Sequence, residues 1–282
     1  GTNRLTNEEL FDLYRLAIAS RQLSVPQGAE FYLRQEFQDV EDVYETSGTD
    51  DIERAGEDAG AVDIFVKGIE STAATTTATF YGVGQLMLVD NLPLVEVESV
   101  SVGGTVYVED TDYEVVYDTS GVSGSVRARD GIRFLASATT TPDVGEQVEI
   151  AYTYNQLITR LQANEESPAV GVDGQDKLHR QGAQVDIYLT ATLTVKGNFT
   201  PSLIQGFCEN LITEFINGTL GLGDNLEPSD IQREVRSLTG VDNFRITRLS
   251  TSPSDTGVLD PVEIEPKQYA FIEEANLVIN LG

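Results

Sequence analysis

The stretch Gly182–Val195 reads Gly-Ala-Gln-Val-Asp-Ile-Tyr-Leu-Thr-Ala-Thr-Leu-Thr-Val, and it constrains the fold more than any other. Val185, Ile187, Leu189, Ala191, Leu193 and Val195 point one way. Gln184, Asp186, Tyr188, Thr190, Thr192 and Thr194 point the other. This unbroken period of two defines a strand with one apolar and one polar face. At about 3.3 Å per residue it would reach roughly 46 Å, well past the usual strand of about 5–6 residues. A strand of that reach serves more than one neighbour. The expectation is therefore one long central strand over 182–196, shared by the segments on either side.

Charge narrows the class of partner. The 282 residues carry 46 Asp and Glu against 18 Lys and Arg, a net of −28, and the only lysines are Lys67, Lys177, Lys196 and Lys267. Contact with phosphates needs clustered positive charge, so nucleic acid is not expected as a partner. The acids are spread along amphipathic and alternating segments and form no single tail, which fits a folded protein better than a disordered acidic one. Adaptation to concentrated salt accounts for them: at about 1 M salt the Debye length is roughly 3 Å, and a dense acidic surface stops repelling itself. No apolar run approaches the roughly 18–20 residues that span a bilayer. The most apolar stretch, Leu86–Val97, is interrupted by Asp90, Asn91, Pro93 and Glu96. No membrane insertion and no secretion signal are expected. The chain opens on Gly1 and its only Met is Met87, which suggests a processed, trimmed or renumbered piece of a longer product.

The order of patterns gives the domain organisation. Thr6-Asn7-Glu8-Glu9 is a capping box ahead of Leu10, Leu13, Tyr14, Ala17 and Ile18 at helical spacing. A second helix is expected over 28–38, with Leu33 and Phe37 inward. A short strand then follows Val40 and Val43, an acidic loop spans 50–60, and a strand spans 61–69 with Val62, Ile64 and Val66 inward. At Glu70 the character changes to a Thr/Ala tract, Ser71–Thr79, and then to short strands separated by turns. Among these, Val95–Val102 turns at Gly103-Gly104 into Thr105–Val108 as a two-residue hairpin. Further strands are expected over 113–117, 125–135 and 147–154.

Helical spacing returns at Leu157, Ile158 and Leu161. After the long strand, Thr200-Pro201 opens a helix with the stripe Leu203, Ile204, Phe207, Cys208, Leu211, Ile212, Phe215 and Ile216, closed by Gly218 in a left-handed cap. Ser229-Asp230-Ile231-Gln232 is a second capping box, with Ile231, Val235 and Leu238 inward. Strands follow over 241–249 and 277–281. A constant shift of 198 residues overlays Leu10–Val43 on Cys208–Val241 without a gap. This fits an internal helix–helix–strand repeat, and equally fits amphipathic helices in phase. The expected class is α+β: a first α/β lobe over 1–69, an inserted small all-β sandwich or barrel over 70–153, and a second α/β lobe over 154–282.

Residues that could carry chemistry are sparse. His179 is the only histidine, in Lys177-Leu178-His179-Arg180, and its basic, turn-like surroundings predict an exposed loop. A His/Cys metal cluster lacks ligands. Glu109-Asp110-Thr111-Asp112, Glu57-Asp58 and Asp173-Gly174-Gln175-Asp176 do not match a Ca²⁺ loop. Cys208 lies on an apolar helical face and is expected to be a buried structural thiol. Gly82-Val83-Gly84 and Gly221-Leu222-Gly223 read as turns, while Asn198 and Asn217 fit helix caps better than glycosylation acceptors. No catalytic, cofactor-binding or metal residue is assigned, and no cofactor is expected.

The segment order nevertheless resembles a known family. The paired helices of 10–66 with Phe37-x-x-Val40-x-x-Val43 and Gly60-Ala61-Val62-Asp63-Ile64-Phe65-Val66, then Leu157-Ile158-Thr159-Arg160-Leu161-Gln162, resemble the baseplate J-like proteins of phage tails. So do Pro168-Ala169-Val170-Gly171, the strand Val185–Val195, Phe215-Ile216-Asn217, Leu220-Gly221, Ser229-Asp230-Ile231 and Gly240-Val241-Asp242-Asn243. The resemblance covers residues 5–69 and 154–250. Two departures stand out: the β segment at 70–153 interrupts the family pattern, and the family's usual upstream portion is not seen. The resemblance implies a structural virion protein without catalytic residues, in a ring or wedge around the tail tube. Its expected place is the virion tail baseplate after synthesis in the host cytoplasm. Its expected partners are other baseplate proteins, copies of itself in a ring, and a tail fibre or receptor-binding protein. With the acidic surface it implies a tailed virus of a halophilic archaeon. The competing expectation is a surface adhesin or receptor-binding module acting through the β segment.

Overall fold

Val62, Ile64 and Val66 alternate along a strand, and alternation buries one face of a sheet against whatever apolar surface lies opposite. In the computed structural model, which describes residues 26–46, 61–117, 130–165, 176–255 and 260–282, that surface is two helices. Strand β2 (Ala61–Lys67) lies between β1 (Asp42–Glu45), antiparallel to it, and β10 (Asp176–Gln181), parallel to it. Leu33 and Phe37, from α1 (Pro26–Glu36) and just beyond it, join Val40 and Leu157, Ile158 and Leu161 of α2 (Gln156–Glu165) against Ile64 and Val66. The expected helix over 6–20, the loop at 50–60 and residues 168–175 lie outside the described residues. The chain divides into two compact units, Gly1–Gln181 and Gly182–Gly282. Helix α2, placed by its sequence position with the second lobe, shares its core with residues 33–66.

From Ser71 to Asn155 every described element is a strand. Strands β3 (Ser71–Thr79), β9 (Gln147–Asn155), β5 (Leu94–Val102) and β6 (Thr105–Tyr107) form one antiparallel sheet in that order. Strands β4 (Leu86–Leu88), β8 (Gly131–Phe134) and β7 (Tyr113–Val116) form a second. Their apolar residues make one core that includes Val100, Ile132, Val148, Ile150 and Tyr152, with Phe134 held edge-on by Phe80, Tyr107 and Tyr113. The Thr/Ala tract is itself a strand. Its β-branched threonines suit a pleated edge, and Thr76 faces inward to bond Tyr152 Oη and Asp90. The hairpin falls at Gly103-Gly104 as expected, with φ of 57° and 91° that favour glycine. Of the span expected as a strand over 125–135, residues 130–135 are described, and the strand occupies Gly131–Phe134.

Both crossings between this β segment and the helical core meet at Asn155, which is fully buried. Its Nδ2 donates to Gly68 O at 2.9 Å, and its Oδ1 accepts from Glu70 N at 3.0 Å and Leu157 N at 3.2 Å. Gln156 N donates to Glu70 O, and the β3–β9 register sets Ser71 opposite Asn155. Arg160 pairs with Glu70 while its guanidinium lies over the Phe37 ring. The chain thus leaves and rejoins the α/β layer side by side.

In the second unit the long alternating run is two strands, not one. Strand β11 (Ala183–Asp186) pairs parallel with β14 (Gln268–Phe271). After buried Ile187, β12 (Tyr188–Val195) sits between β13 (Val241–Ser250), antiparallel, and β15 (Leu277–Leu281), parallel. Ile187 N still bonds Phe271 O, so the backbone stays extended while its partner changes. Alternation reports which way side chains face and is blind to which strand supplies the hydrogen bonds. Every described pairing of both pieces is with strands of the same unit, which replaces the expectation of a strand shared between lobes.

Leu189, Ala191 and Leu193 pack with Ile204, Cys208 and Ile212 of α3 (Pro201–Thr213) and with Ile231 and Val235 of α4 (Pro228–Ser237). Three end signals are realised differently from expectation. Thr200 stands at the N-cap of α3 in an extended conformation, but its side chain makes no capping bond. Gly218 does not close the helix in the left-handed region. Instead α3 widens into a π-turn over Glu214–Thr219, with Leu220 N bonding Phe215 O. The extra residue places Asn217 to bracket Ile272, donating to its carbonyl at 3.0 Å and accepting from its amide at 2.8 Å. Helix α4 starts at Pro228 behind Glu227, so Ser229 lies inside the first turn and the capping box does not form. Leu203 and Phe207, read as part of the inward stripe, are more than half exposed.

The chain is mixed α+β, with more strand than helix and several small sheets. Leu189→Asp puts a charge into the centre of the second unit's core and should cost about 3–5 kcal/mol or abolish folding. Equilibrium urea unfolding checks it, and a mutant with an unchanged midpoint would refute the strand's placement. Asn155→Ala strands the Glu70 and Leu157 amides and should cost about 2–3 kcal/mol. A loss below about 0.5 kcal/mol in the same measurement would show that the clamp is not structural.

Candidate functional site

The described residues singled out for chemistry take structural positions, beginning with the histidine. His179 is not in an exposed loop. It is 4% exposed, on β10, paired in register with Ile64. Its amide donates to Gln162 Oε1, and Gln162 Nε2 donates to Lys177 O, so helix α2 is stitched to this strand on both sides of Leu178. Both ring nitrogens are buried and have no hydrogen-bond partner among the described residues. Burial first, and the positive charge of Lys177 second, hold the imidazole down to about 4, so the ring is neutral near pH 7. The basic tetrapeptide masked a strand that is buried because it lies against β2, a parallel partner distant in sequence.

A set of buried polar residues on β2 and β10 escaped the sequence reading. Asp63 is fully buried, Lys67 and Lys177 nearly so, and Arg180 Nε lies 3.3 Å from Asp63 Oδ2. Thr46 Oγ1 donates to Asp63 O and accepts from Asp63 N, while Lys67 Nζ lies 3.3 Å from Glu41. Asp63, Phe65 and Lys67 alternate with the apolar face, and polar alternation ordinarily means solvent. Here both faces of β2 are buried. The one available signal was the pairing of an acid on β2 with a base on a second basic, β-competent segment. Arg180 beside Asp63 and Glu41 beside Lys67 compensate these charges within the α/β layer.

The acids of 109–112 serve a turn. In Glu109-Asp110-Thr111-Asp112, Asp110 takes a positive φ of 62°, its amide bonds Tyr113 O, and Asp112 Oδ2 accepts from Val108 N. Burial, then Glu109 and Asp110, raise the neighbouring Tyr113 hydroxyl above its ordinary value. Among the described residues no group of three or more His, Cys, Asp or Glu could hold a metal ion. Glu57-Asp58 and most of Asp173–Asp176 lie outside them.

Cys208 is fully buried, and burial followed by Glu209 pushes its thiol up to about 11, so it stays protonated. Gly82 and Gly84 sit in the turn between β3 and β4, and Gly223 takes a positive φ. Asn217 bridges to Ile272 and is not a cap; Asn198 is exposed. Among the described residues no helix is long and apolar enough to cross a membrane. Comparison with protein-family models and with curated proteins returns no match.

The buried ring gives a pH test. Its pKa is lowered on folding, so the stability associated with the neutral form is complete above about 6.5 and is lost as pH falls towards 4. The loss amounts to about 3 kcal/mol. The imidazole resonance of this only histidine should not titrate above about pH 5. The urea midpoint of the wild type should fall faster than that of His179→Leu between pH 6.5 and 4.5. A ring titrating near 6.5 would overturn its burial.

Proposed function

We propose that the chain is a structural subunit of a virion tail baseplate, similar to the baseplate J-like proteins, with no catalysis of its own. The observation that carries the reading is a β-sandwich spliced into an α/β layer through a double crossing locked at Asn155. Clamped in this way, the β segment is a rigid outrigger, which suits a protein whose work is to be gripped by neighbours over broad faces. The finer arrangement belongs to the same proposal: an α/β lobe over 1–69 and a second helix–helix–strand lobe towards the other end, with the β domain between them. The partners are other tail and baseplate proteins, copies of this chain in a ring, and a tail fibre or receptor-binding protein.

Antibody labelling of particles from the source, viewed by electron microscopy, should place the chain in a ring at the tail end. Label on filaments, on the capsid or nowhere on the particle would sink the reading. We further propose a tailed virus of a halophilic archaeon as the source, on the strength of the net charge of −28. Thermal melting should then rise markedly from dilute buffer to molar salt, and equal melting temperatures would remove that part.

One observation favours a second reading, a receptor-binding or adhesin module. The loops at the far end of the sandwich from Asn155 present Tyr81 and Val144, 70% and 72% exposed, and Val83 between glycines. Binding to host cells lost on Tyr81→Ser would favour it.

A further inference from the structure

Two sheet faces of this chain are lined by hydroxyls and opposite in charge. In the second unit, the face of β13-β12-β15 turned away from α3 and α4 carries Thr190 and Thr192 of β12. Val278 and Asn280 of β15 flank them on one side, and Arg248 and Arg245 of β13 on the other, each in register. Arg245 is exposed and has no ion-pair partner among the described residues. Arg248 lies over the Tyr188 ring, donates to Ser252 O, and leaves its Nε buried without a partner. The only carboxylate of β13, Asp242, sits in the bulge at its start. In a chain with 18 basic residues, Arg233, Arg236, Arg245 and Arg248 all fall within 233–248.

The outer face of β3-β9-β5 in the sandwich is the counterpart. Thr75 and Thr77 of β3 lie beside Ala151 and Glu149 of β9, with Glu96 of β5 opposite Thr153. Glu96, Glu98 and Glu149 are exposed and unpaired among the described residues, and β3, β5 and β9 contain no basic residue.

We infer that the Arg245/Arg248 face of one copy docks on the Glu96/Glu149 face of a second copy. Short side chains on both faces allow close approach. Arginine is the cation that pairs with carboxylates in a fixed fork, and opposite potentials select this pairing over like-with-like contact. The contact joins different patches of the two copies, so it is head-to-tail and propagates into a closed ring or an open filament. The choice of a second copy as occupant rests on the proposed structural role, since charge alone does not name the partner.

The test is sedimentation velocity on the full chain, at the lowest salt at which circular dichroism shows it folded. Wild type should self-associate as concentration rises. Arg245→Glu and Glu149→Arg, both at exposed positions, should each weaken association about tenfold or more. Mixing the two variants, which restores opposite charge at every contact, should recover it. A wild type that stays monomeric, a single variant that associates like wild type, or a mixture that remains dissociated overturns the proposal. Each of these leaves ring labelling at the tail end free to stand, so this contact and the baseplate reading fail separately.

Discussion

The hydrogen bonds of one buried carboxamide join the two cores of the first unit. Asn155 joins the last residue of β9 to Gly68, Glu70 and Leu157, the points at which the chain leaves the α/β layer and rejoins it. A buried amide left without partners is costly, so the side chain is stable in one pose, and that pose sets both crossings. The sandwich core and the helical core are separate apolar clusters. What keeps them in register is this polar junction, reinforced by Arg160 between Glu70 and the Phe37 ring. Gly68 belongs to the same joint: with φ of 145°, a Cβ there would fall 2.1 Å from Asp39 O.

Much of the fold was legible because side-chain periodicity is a local property. The apolar faces of β2 and β12, the turn at Gly103-Gly104 and the burial of Cys208 could be read from spacing alone, whereas the exposure of Leu203 and Phe207 on α3 could not. What could not be read is who pairs with whom. The alternation through 182–195 runs on across Ile187, yet the hydrogen bonds pass from β14 to β13 and β15 at that point. Helix ends were legible to within a few residues and wrong in mechanism. At Thr200 the backbone carbonyl takes the first bonds instead of the hydroxyl, and at Gly218 the bond between Asn217 and Ile272 outweighs a glycine cap.

The polar core of β2 and β10 was the largest blind spot. His179, in its basic tetrapeptide, is expected in an exposed loop, and nothing in the local sequence points to the burial of Asp63, Lys67 and Lys177. They are buried because a parallel pairing over more than a hundred residues of chain brings acid and base together. Only the partner makes such a residue interpretable, and the partner is invisible to a window of local sequence. The same holds for the two hydroxyl-lined sheet faces, whose contrast in charge emerges only when strands far apart in sequence are set side by side.

The placement of β15 has a kinetic corollary. Strand β12 is the middle of its sheet, yet one of its two neighbours comes from residues 277–281, long after β12 has left the ribosome. Until then β12 has a bare flank of amides and carbonyls beside an alternating apolar run, the arrangement that templates wrong pairings between nascent chains. Crowded polysomes making many copies at once are where that hazard is greatest.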